Sequence, residues 1–106
     1  AGVIEKGESP LDAAKRELQE ETGYGEGKWE EVLTLSGNSS TTNNLTHSFI
    51  AEGVKKISGQ HLDRTEDLHV EMLNEAQVKD LLVNNQVVQS LMAAPLWRYF
   101  AIHKLL

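Results

Sequence analysis

Between Ser9 and Gly23 the sequence SPLDAAKRELQEETG carries a helix start, a helix stop and a problem of like charge. Ser9 is an N-cap type, Pro10 suits the first helical position, and Asp12 stands where a capping box places an acceptor. Gly23 supplies the left-handed residue that ends a helix. The spacing therefore predicts a helix from Pro10 to about Thr22. At 100° per residue, Leu11, Ala14, Leu18 and Thr22 share one stripe, which is expected to face the core. Glu17 and Glu21 lie one turn apart beside that stripe, Glu20 lies next to them, and Arg16 is one turn behind Glu20. Like charges at this spacing destabilise a bare helix by roughly 0.2–0.5 kcal/mol per pair.

A hard divalent cation shared among the three carboxylates would relieve that repulsion. Mg²⁺ takes oxygen ligands, commonly one or two carboxylates with water and substrate phosphate oxygens. Held there it can neutralise a diphosphate and activate a water for attack on phosphorus. Glu8, upstream across a turn, is a further ligand or a hydrogen-bond partner of the metal's shell. Arg16 then holds Glu20 or Glu8 in place. A glutamate-rich helix is also what an ordinary solvated face looks like, and the helix alone leaves both readings open.

The spacing of the whole stretch separates them. Gly2, five residues, Glu8, seven residues and then Arg16-Glu17-Leu18-Gln19-Glu20-Glu21-Thr22-Gly23-Tyr24 constrain nine positions in a 23-residue window. This pattern resembles the signature of the Nudix hydrolase family at every specified position. The resemblance implies an α/β/α sandwich with a mixed sheet, the signature forming a loop–helix–loop. It implies divalent-metal ligation, by Mg²⁺ or Mn²⁺, at Glu17, Glu20 and Glu21. The Ala-Gly opening resembles the ADP-ribose pyrophosphatase branch, in which the alanine carbonyl, here Ala1, also binds metal. THSFIAEGV and LDRTEDLHV resemble that branch too. Its acidic loop implies Glu66 as a catalytic base, with Asp63 next; Arg64 stands where related enzymes often carry another acid. The implied catalytic set is Glu66, Glu20 and Arg16. The implied substrate is a nucleoside diphosphate linked to another group, ADP-ribose or an NDP-sugar. A non-catalytic nucleotide-sugar sensor is the alternative from another class. The family's fold places strands before the signature, so the chain is expected to be one Nudix-type domain over residues 1–106 without its N-terminal strands.

Downstream, WEEVLTL (29–35), THSFIAEGV (46–54) and LHVEML (68–73) read as strands. Residues 36–44 and 55–66 read as polar connections, and Gly25–Lys28 as a loop. Asn74 caps a short helix over Glu75–Val83. An apolar stripe through Val87, Val88, Leu91, Met92, Pro95, Leu96, Tyr99 and Phe100 predicts helix within Gln86–Leu106, kinked or restarted at Pro95.

Composition closes off other functions. Net charge is −6, and nine of the 16 carboxylates fall in residues 1–31 against four basic residues there. Such a surface does not suit nucleic acid, whose phosphates need clustered Lys and Arg. There is no cysteine, so thiolate catalysis and Cys-based zinc sites are excluded, in keeping with the cytoplasm. No apolar run approaches the ~20 residues of a membrane span. The four histidines lack metal-like spacing. Trp29 and Trp97 are expected in the core rather than against a base. The ADP-ribose branch implies a homodimer.

Overall fold

The computed structural model describes residues 3–36, 45–62 and 70–104. In chain order these form α1 (Pro10–Thr22), β1 (Tyr24–Gly25), β2 (Lys28–Leu35), β3 (Thr46–Glu52), β4 (Lys55–Lys56), α2 (Glu75–Val83) and α3 (Ser90–Tyr99). A π-helical turn, Phe100–Lys104, follows α3. β1 pairs antiparallel with β4, Tyr24 opposite Lys56 and Gly25 opposite Lys55. β2 and β3 make a second two-stranded sheet. Helices with small sheets are compatible with an α/β fold. No helix among the described residues is long and apolar enough to cross a membrane.

The chain divides into two compact units, Ala1–Glu30 with Phe49–Glu71, and Glu31–Ser48 with Met72–Leu106. In the first, α1 has the ends its sequence predicts. The Ser9 hydroxyl accepts from the Asp12 N–H at 3.1 Å. Gly23, at φ 78°, donates its N–H to the Gln19 carbonyl at 2.8 Å. The expected apolar stripe is a different matter. Leu11, Ala14, Leu18 and Thr22 are only half-buried, and Ala13 at 4% exposure is the helix's one buried residue. Ala13 lies one turn before Glu17 and two before Glu21, so the deepest line of α1 runs toward the glutamates. A single methyl is small enough to be covered where the leucines beside it are covered only in part. Trp29 packs its ring near Phe49 (centroids 6.4 Å apart) and donates its indole N–H to the Glu26 carbonyl at 2.9 Å.

In the second unit Val32, Leu82 and Phe100 are buried, at 8%, 4% and 3% exposure. Arg98 Nε reaches the Val32 carbonyl at 2.6 Å. α2 opens on a full capping box: Asn74 and Gln77 exchange side chain-to-backbone bonds, both 2.8 Å. α3 begins only at Ser90, capped by Gln89, so Val87 and Val88 precede the helix instead of extending its stripe. Pro95 lies within one continuous helix and does not restart it.

Two further expectations need correction. Of the strand expected over 68–73, residues 70–73 are described and hold no strand; Met72 is 77% exposed. Alternating apolar residues make a strand only where they pair with a neighbour, and the described sheets pair β1 with β4 and β2 with β3. Conversely, β1 and β4 lie in segments expected to be loops. Strands of two residues are too short to show an alternating pattern.

Candidate functional site

The loop before α1 folds back on itself. Glu8 donates its N–H to the Glu5 carbonyl, and the Glu5 N–H returns to Glu8 Oε1, both at 3.0 Å. Gly7, at φ 81°, makes the left-handed turn between them. This presents the Glu8 carboxylate to Arg16, in the second turn of the helix.

Arg16 is the hub of the cluster. Its Nε and Nη2 grip Glu8 with a two-point bond, 2.9 Å to Oε2 and 3.1 Å to Oε1. Its Nη1 donates to Glu17 Oε1 at 2.9 Å and to Glu20 Oε2 at 3.4 Å. Nη2 also reaches the Val3 carbonyl at 2.9 Å, and Glu5 stands 3.8 Å from Nη1. The planar guanidinium fork makes this possible; a lysine ammonium could not bond two carboxylates edge-on. Glu8 and Glu17 are largely shielded, at 16% and 19% side-chain exposure, while Glu20 is at 41%. The hydrogen bonds from Arg16, and then the Glu5 N–H, hold the Glu8 carboxyl below its ordinary range. Reciprocally, Glu8 holds the Arg16 guanidinium even more firmly protonated.

The expected site residues thus fall into three groups. Glu8, Arg16, Glu17 and Glu20 are brought together on one guanidinium. Glu21 belongs to the same helix turn as Glu20, and its backbone carbonyl accepts from Gln60 Nε2 at 2.7 Å. Ala1, Glu66, Asp63 and Arg64 lie outside the described residues. The sequence reading missed Lys56, Gln60 and His61, whose donors meet the end of α1. α1 has no basic residue in its last turn, so its C-terminal carbonyls need donors from elsewhere, but nothing in the sequence says which residues supply them.

The donor chemistry suits a hard divalent cation, since Glu17, Glu20 and Glu21 offer only carboxylate oxygens from adjacent turns. Arg16 takes Oε1 of Glu17 and Oε2 of Glu20, one oxygen of each carboxylate. Among the described residues, no three acidic or imidazole side chains stand close enough together to ligate a metal as positioned. Convergence on a cation therefore requires rotation about the glutamate side-chain bonds, which partly exposed glutamates make readily.

The exposed His47–Glu31–Thr34 group is a second polar cluster. His47 Nδ1 lies 2.9 Å from Glu31 Oε1, which also accepts from the Thr34 hydroxyl. Bonds from Thr34 first, and His47 second, lower the Glu31 pKa.

Comparison with known proteins bears on the α1 cluster. Over 79 residues the chain is 38% identical to a protein of Bacillus methanolicus named methanol dehydrogenase activator, covering 72% of this chain. Over 82 residues it is 34% identical to a protein of Bacillus subtilis (strain 168) named ADP-ribose pyrophosphatase, covering 77% of this chain. Each alignment spans 43% of the relative's own length, so the chain matches less than half of either protein. The family model for the NUDIX domain matches residues 1–91, taking in the Glu8–Arg16 clamp, all of α1 and the four strands. On that match, the chain belongs to the NUDIX family.

Proposed function

We propose that this chain carries the hydrolytic signature of a metal-dependent Nudix pyrophosphohydrolase. Its substrate is a nucleoside diphosphate linked to a second moiety, with ADP-ribose first and NDP-sugars next. The observation that carries this reading is the Arg16 hub, which gathers Glu8, Glu17 and Glu20 beside Glu21 on one helix. Membership of the family and the 34% identity to a protein named ADP-ribose pyrophosphatase support the substrate class.

Glu17, Glu20 and Glu21 are the proposed metal ligands, with the Ala1 carbonyl and Glu8 as further oxygen donors. Mg²⁺ or Mn²⁺ bound there supplies charge neutralisation for the diphosphate and acidifies a water. Arg16 orients Glu17 and Glu20 and keeps Glu8 ionised. Glu66, or Glu20 from the helix, accepts the proton of the attacking water. The products are a nucleoside monophosphate and a sugar phosphate. We assign residues 1–106 to one domain of an α/β/α sandwich with a mixed sheet, acting in the cytoplasm as a homodimer.

Incubating the protein with Mg²⁺ and a panel of ADP-ribose and NDP-sugars tests the reading directly. Release of a nucleoside monophosphate from at least one is expected; no release from any member sinks it. A second reading has one observation in its favour, the 38% identity to a relative named for activating another enzyme. In that reading the chain binds a nucleotide-sugar and regulates a partner. Tight binding of ADP-ribose with no product would favour it.

A further inference from the structure

The last four carbonyls of an α-helix have no partner inside the helix. In α1 these belong to Gln19, Glu20, Glu21 and Thr22. Gly23 takes the first, through its own N–H. One short segment, 33 to 38 residues further along the sequence than Gly23, takes the other three. The His61 N–H donates to the Glu20 carbonyl at 2.7 Å, and Gln60 Nε2 to the Glu21 carbonyl at 2.7 Å. Lys56 Nζ donates to the Thr22 carbonyl at 2.8 Å. The N–H groups of Ile57 and Ser58 both converge on the Gly23 carbonyl, at 2.8 and 3.1 Å. Residues 56–61 therefore form a strap across the end of the helix.

Two of the three carbonyls under the strap belong to residues whose carboxylates are the proposed metal ligands. A helix end frays unless its orphan carbonyls are met. Fraying here would turn the Glu20 and Glu21 backbones and swing their carboxylates apart. The end of a helix is also its negative pole, and α1 brings no basic residue of its own to that turn. Lys56 supplies the missing cation, braced 5.3 Å above the Tyr24 ring centroid.

The geometry points to Gln60 and Lys56 as positioning residues that fix the last turn of α1 and thereby set the affinity of its carboxylates for a divalent cation. This rests on the proposed ligation by Glu17, Glu20 and Glu21. Both side chains are exposed and neither belongs to the buried core, so truncating them removes donors to the helix end without opening a cavity.

The test is Mn²⁺ titration of the full chain without substrate, following free Mn²⁺ by electron paramagnetic resonance, with thermal melting in metal-free buffer alongside. Gln60→Ala and Lys56→Met are expected to weaken Mn²⁺ binding about tenfold, the low end for groups that orient metal ligands. Metal-free melting falls no further than the loss of one exposed hydrogen bond accounts for, and Lys56→Arg, which keeps a cationic donor, restores affinity. Glu21→Gln serves as the control for the site itself. Wild-type Mn²⁺ affinity in Gln60→Ala and Lys56→Met, with binding weakened in Glu21→Gln, overturns the strap's role and leaves the site standing. Wild-type affinity in Glu21→Gln removes the site and the inference together. Loss in Lys56→Arg equal to that in Lys56→Met also overturns it, since a charged donor would then not be what matters.

Discussion

α1 and α3 are helices of similar length, 13 and 10 residues, held in opposite ways. α1 has a serine cap at one end and, at the other, a left-handed glycine under a strap of five donors. Its middle is tied to the preceding loop through Arg16. α3 starts on a glutamine cap, carries Pro95 in its interior, and runs on into a π-helical turn. None of its residues is buried, and Met92 stays 59% exposed. Directional polar bonds fix angles, whereas apolar contact tolerates rotation and slip. The helix bearing the clustered carboxylates has directional bonds at both ends and in its middle, whereas α3 is tied by its Gln89 cap and by Arg98 to the Val32 carbonyl.

The sharpest break of this comparison is at the carboxylates. Glu21→Gln keeps the helix shape and removes one charged oxygen. It is expected to cost about 10³-fold in turnover, the upper range for removing one group that stabilises developing charge, with melting temperature unchanged. Loss of fold with loss of turnover would mean the glutamate is structural.

Arg16→Gln comes next. If Arg16 orients the ligands, metal affinity falls about 10–100-fold. It also has a pH signature. The folded state holds the Glu8 carboxyl below its ordinary value of 4.5, chiefly through Arg16. That contribution is present above the ordinary value and lost as pH falls through the lowered one. Wild type should therefore be more stable than the variant near neutral pH, the gap closing through the acid range. Melting curves between about pH 7 and about pH 3 read this out, and parallel curves would exclude the clamp.

The ends of α1 were legible in the sequence because capping is local: Ser9, Pro10 and Gly23 act within four residues of themselves. Asn74 was legible for the same reason. The Arg16 contacts with Glu8 and Glu20 followed from helical spacing and a short loop. The strap was not legible, because Lys56 and Gln60 act across more than 30 residues of chain on backbone carbonyls, and nothing in their own neighbourhood marks them. The burial of Ala13 over Leu11 and Leu18 was also hidden, since periodicity gives a face and not its depth.

Gly23→Ala tests whether the helix end and the strap are one device. A left-handed alanine costs about 1–2 kcal/mol on conformation alone. A methyl there would also run into the Ser58 carbonyl and come within 2.9 Å of Lys56 Nζ. The strap must then shift, so stability should fall by more than the conformational cost, and metal affinity should fall with it. A loss confined to about 1–2 kcal/mol, with unchanged affinity, would separate the two.

The smallest effects come from the two caps, and their ratio is informative. Ser9 accepts from the Asp12 N–H at 3.1 Å, and Gln89 accepts from the Met92 N–H at 2.8 Å. The α3 bond is the shorter, so distance alone would rank Gln89 as the more important cap. Side-chain entropy argues the other way: glutamine must immobilise three torsions to cap, serine one. Ser9→Ala should cost about 1 kcal/mol, and Gln89→Ala only a few tenths, because the long side chain recovers its freedom. Ser9 also sets the entry of α1 next to Glu8, so its loss loosens the Arg16 clamp and lowers turnover, whereas Gln89→Ala leaves turnover alone. Equal losses of stability and activity from the two substitutions, read by melting and by ADP-ribose hydrolysis, would remove the distinction between the helices.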